Sequence, residues 1–178
     1  MHGYQYATMA STALLGPAVL VSYAQLRDGG SYLSSKYWLG LPRGLVTATV
    51  VAQCAAAVGF IAFLVTMTRR PPGRGVLRRW GLPVTVTVFL FASLLWATCV
   101  SQALKHRSRV LGVATSVCLV VAAVATIVML AGVFESDMTG ADAVVALVGI
   151  TLLCTVVVLL DGVGWNARWI HRRPWATS

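Results

Sequence analysis

The polar residues of this chain are gathered between long apolar runs instead of alternating with apolar ones. Five runs stand out, at about 7–26, 44–68, 82–104, 109–133 and 141–163, with charge confined to their margins and to Asp161. Each holds roughly 20 or more residues, the length an α-helix needs to cross about 30 Å of hydrocarbon. No two-residue alternation of polarity appears, so a membrane β-barrel is not indicated. In lipid a helix alone satisfies its own backbone within one segment. The pattern predicts an all-α integral membrane protein, a single domain built as a bundle of five transmembrane helices over 1–178, with 164–178 as a basic C-terminal tail.

Composition agrees with that solvent. Of the 178 residues 58% are hydrophobic and 11% charged, with a mean hydropathy of +0.80; a soluble domain carries roughly 25% charged residues. The net charge of +9 comes from 14 Lys and Arg lying almost wholly between the runs. Bases so placed anchor loops at headgroups and set topology. They make the lipid bilayer the expected partner and exclude nucleic acid, which needs a basic face on a folded domain.

Basic residues favour the cytoplasmic side. Placing the N-terminus outside puts nine bases in the cytoplasm, around 27–43, 105–109 and 168–173, and five outside, between Arg69 and Arg79. The wholly acidic stretch with Glu135, Asp137 and Asp142 then also lies outside. An external N-terminus and a cytoplasmic C-terminus are expected. Residues 1–7 carry no Lys or Arg, so the first run reads as a span, bent at Pro17, and not as a cleaved signal.

The connections differ. The link 27–43 is long and aromatic, with Tyr32, Tyr37 and Trp38, whereas 105–108 is so short that the third and fourth spans must be antiparallel neighbours. Pro71-Pro72-Gly73 and Pro83 bracket a stiff second link that ends with Trp80 at the interface. Cys54, Cys99, Cys118 and Cys154 lie singly in four different runs, without a Cys-x-x-Cys pair. They read as packing residues, and neither a disulfide framework nor a metal site is expected.

Polar groups in hydrocarbon need partners. Gln53, near the middle of the second run, is expected to bond to another helix, either as structural glue or as a ligand contact. Trp96 lies well inside the third run, where its ring either fills the core or lines a pocket. Thr151, Cys154, Val158, Asp161 and Trp165 are spaced by three or four, which places them on one helical face. Asp161 falls near the end of its run, and Arg168 is seven residues away, too far for an i,i+4 pair. Arg43, Lys105 or Arg107 from a neighbouring helix end is the expected partner. Asp161 then serves as an interhelical lock, as the polar floor of a ligand pocket or ion path, or as a base.

No hydrolase, metalloprotease or phosphate-binding signature is present, and His2, His106 and His171 lie outside the runs, where they cannot pair as haem ligands. The chain is expected to be no enzyme and to need no cofactor.

Several stretches carry a resemblance. Ala56-Ala57-Val58-Gly59-Phe60 looks like a small-x-Gly-aromatic stretch, Leu94-Leu95-Trp96 stands at a Trp-bearing one, and Asp161 with Trp165-Asn166 precedes a basic tail. With the span count and the short 105–108 link, the chain resembles the translocator protein, or tryptophan-rich sensory protein, family of five-helix membrane proteins over about 7–173. Trp38-Leu39-Gly40-Leu41-Pro42 echoes the family's Trp-x-Pro-Pro motif without matching it, and no Pro follows Trp96. The resemblance implies a homodimer enclosing a pocket for a porphyrin- or sterol-like molecule under the first link. Val21–Arg27 also fits a proposed cholesterol pattern. The expected function is therefore non-enzymatic binding of a hydrophobic small-molecule ligand by Gln53, Trp96, Asp161 and Trp165. The alternatives are a structural or accessory subunit of a larger membrane complex and a small ion-coupled transporter.

Overall fold

A computed structural model describes residues 3–25, 38–69 and 81–173. Among them the regular structure is all helical, joined by short turns, with no strand. Helix α1 covers Gly3–Gln25, α2 Arg43–Arg69, α3 Gly81–His106 and α4 Arg109–Phe134. The last rod runs unbroken from Gly140 to Arg172. It is α5 at Gly140–Cys154, a π-helix at Thr155–Trp165, and α6 at Asn166–Arg172.

Many of these residues are Val, Ile and Thr, which favour strands in water. Hydrocarbon overrides that preference, because every N–H and C=O must be satisfied within its own segment. The hydroxyls comply in the same way. Thr49, Thr66, Thr98 and Thr115 each donate to the carbonyl four residues back, at 2.8, 2.9, 3.0 and 2.9 Å, so these hydroxyls are satisfied within their own helix.

Four of the rods, α2, α3, α4 and Gly140–Arg172, are long and apolar enough to cross a bilayer. This is a multi-pass pattern, and α1 stands beside it as a further helix of 23 residues with Pro17 inside it. Successive rods run antiparallel. Gln5 at the start of α1 donates to the Thr68 carbonyl at the end of α2, and Thr87 near the start of α3 donates to Ser11 of α1 at 2.9 Å. As expected from its length, the 105–108 link makes α3 and α4 antiparallel neighbours. Arg107 adopts a left-handed φ of 50°, and Ser108 caps α4 by accepting the Leu111 N–H at 3.4 Å.

Two packing cores follow each other along the bundle. The first joins Phe60 and Phe63 of α2, Phe89 of α3, Met129 of α4 and Ile150 of α5. Here α2 and α5 touch backbone to backbone. A Cβ on Gly59 would lie 2.9 Å from the Gly149 carbonyl oxygen, and one on Gly149 would be closer still to the Gly59 carbonyl. Small residues allow such approach in lipid, where van der Waals packing holds helices together. The small-residue face contains Ala56 with Gly59, whereas Ala55 points outward.

The rod's final third departs from expectation. Residues 164–172, read as the start of a tail, continue the helix. Gly162-Val163-Gly164 resembles a stop, yet ending the helix inside the bundle would strand backbone groups. The chain instead widens to i→i+5 turns. The two glycines suit this geometry: a Cβ on Gly162 would sit 3.0 Å from the Val157 carbonyl, and one on Gly164 3.3 Å from the Leu159 carbonyl. The readings on Tyr32, Tyr37, Pro71-Pro72-Gly73, Trp80, Leu26 and Arg27 lie outside the described residues.

Candidate functional site

The second core is aromatic and lies toward the other end of the bundle. It brings together Trp38, Val46 of α2, Trp96 and Val100 of α3, Leu119 of α4, and Trp165 and Trp169, with Tyr23 of α1 packed against it. The rings form a continuous stack. Tyr23 and Trp96 have centroids 5.4 Å apart, Trp96 meets Trp165 edge-on at 5.4 Å, and Trp165 stacks on Trp169 at 4.9 Å with planes 19° apart. Each such pair contributes about 0.5–1.5 kcal/mol beyond its buried area.

Trp38 reaches this core from a tight turn. Leu41 N–H donates to the Trp38 carbonyl at 3.0 Å, and Leu39 and Gly40 both have positive φ, 52° and 72°. Gly40 suits this turn because it takes a positive φ without a Cβ penalty; a Cβ there would lie 2.8 Å from the Arg172 guanidinium, the mobile end of an exposed side chain.

Asp161 is buried, and its carboxyl accepts a hydrogen bond from the Gln53 side-chain amide at 3.2 Å. The expectation of Arg43, Lys105 or Arg107 as its partner is corrected: among the described residues the carboxyl meets Gln53 and no base. Depth is the reason. Gln53 lies ten residues into α2 from Arg43, about 15 Å along the axis, a distance that brings it near the middle of the hydrocarbon. Asp161 sits at that level because the rod continues for eleven more residues, to Arg172. It is therefore deeper than a helix ending at 163 would place it.

The four residues expected to form the site meet in two pairs, Gln53 with Asp161 and Trp96 with Trp165, joined by one turn of π-helix. Thr151, expected on the same face, is exposed. From Leu153 the buried positions advance by fours through Val157, Asp161, Trp165 and Trp169. The π segment thereby turns Asp161 and Trp165 onto a different line from Thr151.

Sequence reasoning missed Trp169, and it met Tyr23 and Asn166 only inside the Val21–Arg27 pattern and the Trp165-Asn166 stretch, without placing either in the site. Asn166 accepts from Ser116 of α4 at 2.7 Å, and the fully buried Trp169 donates its indole N–H to the Gly112 carbonyl at 2.9 Å. The spacing Asp161-Trp165-Trp169 was the available signal, hidden by placing the helix end at 163.

The cysteines are free thiols. Cys99 and Cys118, read as solitary, meet across α3 and α4 within hydrogen-bonding reach, and Cys154 meets Thr126. No group of three or more His, Cys, Asp or Glu side chains gathers to hold a metal ion among the described residues. Comparison with protein-family models, curated proteins and solved structures returned no match.

Proposed function

We propose that this chain is a non-enzymatic membrane protein with five spans that binds a hydrophobic, ring-bearing small molecule at the aromatic junction. The supporting observation is convergence. Tyr23 of α1, Gln53 of α2, Trp96 of α3, Leu119 of α4 and the π segment of the last rod all meet there. Aromatic walls with one polar pair are what a flat apolar ligand with a hydrogen-bonding group needs. A π-helix through the site fits this role, since such segments recur at functional positions.

Tyr23 is the least buried ring of the stack, and α1 packs chiefly on α3. Withdrawal of Tyr23 from Trp96 would open the junction to a porphyrin- or sterol-like ligand, the class that the resemblance to the translocator protein family implies. In this reading α1 is the fifth span, held along α3 by Thr87 and Trp96. The N-terminus is outside, and the base-rich end of the bundle faces the cytoplasm.

The test is titration of the purified full chain with protoporphyrin and, separately, cholesterol, followed by tryptophan fluorescence. Saturable quenching or shift is expected with at least one. Trp96→Ala should weaken it at least tenfold, with Trp96→Phe intermediate. No saturable response to either ligand would overturn the reading.

A second reading, a structural subunit of a larger assembly, is favoured by one observation. Trp96 and Trp165 are only 2% and 4% exposed, and Asp161 is already matched to Gln53, so the junction is filled by its own side chains. Co-purification of larger partners with no small-molecule adduct would select it.

A further inference from the structure

Helix periodicity brings two of the free thiols together. On α3, Cys99 shares a line with Ala92 and Ala103, seven residues before it and four after it, both buried. On α4, Cys118 shares a line with Ala122 and Ala125, four and seven residues on, again both buried. Residues at those spacings lie on one side of a helix. Small residues let neighbouring helices approach closely in lipid, and the Cys99 and Cys118 side chains meet within hydrogen-bonding reach. Depth agrees with the contact. Cys99 lies seven residues before the end of α3 at His106, and Cys118 nine residues after the start of α4 at Arg109. Both are therefore about 10–14 Å inward of the connecting turn.

The pair lies at the border of core and lipid. To one side of it stand Trp96 and Val100 of α3 with Thr115 and Leu119 of α4, all buried, and Cys118 packs against the aromatic core. To the other side stand Leu95 and Thr98 of α3 with Val117 and Val121 of α4, all exposed. Because the two helices are antiparallel, their exposed sides fall on the same flank of the pair. The thiols, each half-buried, thus line a seam that opens onto hydrocarbon.

That solvent selects the chemistry. Ordinary thiol oxidation proceeds through the thiolate, a charge that hydrocarbon penalises. A neutral S–H bond can instead give up a hydrogen atom, and peroxyl radicals of unsaturated lipid are oxidants that take one. We infer that Cys99 and Cys118 form a redox-modification site that gives two hydrogen atoms to lipid peroxyl radicals and closes to a disulfide joining α3 to α4. The first radical takes the hydrogen of one thiol and becomes a lipid hydroperoxide, leaving a sulfur radical. A second radical takes the hydrogen of the other thiol, and the two sulfur radicals pair. Two S–H bonds break, two O–H bonds and one S–S bond form, and no step creates a charge. A solitary thiol has no such ending, since its sulfur radical takes a hydrogen back from a lipid chain. The inference rests on the membrane reading but not on the aromatic ligand site, so failure of either leaves the other standing.

The experiment uses the full chain, fully reduced and reconstituted in dilinoleoyl phosphatidylcholine vesicles under air. A lipid-soluble azo initiator generates peroxyl radicals in one sample, and hydrogen peroxide is added to the water of another at equal oxidising equivalents. Peptide mapping by mass spectrometry reads the cross-links. The radicals should give a Cys99–Cys118 cross-link, lighter than the two thiol peptides by two hydrogen atoms, in at least tenfold excess over any other pair. Hydrogen peroxide should give at least tenfold less of it. Cys99→Ala and Cys118→Ala should each abolish the cross-link, while Cys54→Ala and Cys154→Ala leave its yield unchanged. Survival of both thiols in the unaltered chain, at a radical dose that oxidises the surrounding lipid, would overturn the proposal whatever the variants do. Oxidation of either thiol to a sulfinic acid with no bond between them would overturn it as well. An equal yield with hydrogen peroxide would place the pair in contact with water and likewise overturn it.

Discussion

A carboxyl group in the middle of a bilayer needs a polar neighbour, and Asp161 has one in Gln53 at 3.2 Å. The amide donates to the carboxyl oxygen without requiring a counter-charge, so the pair suits a depth that no base reaches. Interhelical hydrogen bonds in membranes average about 0.6 kcal/mol and reach about 1.7 kcal/mol. A double-mutant cycle with Gln53→Leu and Asp161→Leu, read by thermal melting in detergent, should give a coupling in that range. Asp161→Asn, which keeps an acceptor, should melt within a degree or two of the unaltered protein. Additive effects in the cycle would show that the two side chains do not act on each other. The need for a partner at Gln53 was legible from one residue in its run. Its identity was not, because the partner lies 108 positions away and a base at a helix end was the more familiar solution.

At the scale of the element, the last rod shows how the solvent decides where a helix stops. Gly162-Val163-Gly164 would weaken a helix in water, and the apolar run fades at the same point, about 163. In hydrocarbon the cost of unsatisfied backbone groups exceeds the cost of widened turns, so the rod continues as a π-helix and carries Trp165 and Trp169 into the core. The four long apolar rods were legible because their lengths match the bilayer. The π register was not, since its cause is backbone satisfaction rather than side-chain periodicity. Close contact between α2 and α5 yields a second prediction. Gly149→Val places a side chain against the Gly59 backbone and should destabilise the bundle by at least about 1–3 kcal/mol, as overpacking does, whereas Ala55→Val on the outward face of α2 should be nearly neutral. Comparable melting temperatures for the two variants would contradict the backbone contact.

At the scale of the whole molecule, the bundle is organised along its axis. An aliphatic core with Phe60, Phe63 and Phe89 gives way to an aromatic and polar junction, and beyond that to an end rimmed with exposed bases. Every rod contributes to the junction, and this is what makes it the centre of the functional account. The chain order alone places Tyr23, Gln53, Trp96 and Trp165 far apart, so where they meet is set by tertiary packing that no local pattern reveals. The tryptophans do different work within it. Trp169 is tied by its N–H to α4 and stabilises the frame, while Trp96 stands between Tyr23 and Trp165. Trp169→Phe should therefore lower the melting temperature more than Trp96→Phe does, and Trp96→Phe should affect ligand uptake more. A reversed order would misassign the two rings.

The most direct test of the central claim is the native mass spectrum of the full chain extracted from its membrane in mild detergent, recorded for the unaltered protein and for Trp96→Ala. The account predicts a discrete hydrophobic adduct on the unaltered chain, in one copy or a homodimer, which disappears with Trp96→Ala while the folded bundle remains. A bare chain, or an adduct that Trp96→Ala leaves in place, would contradict it.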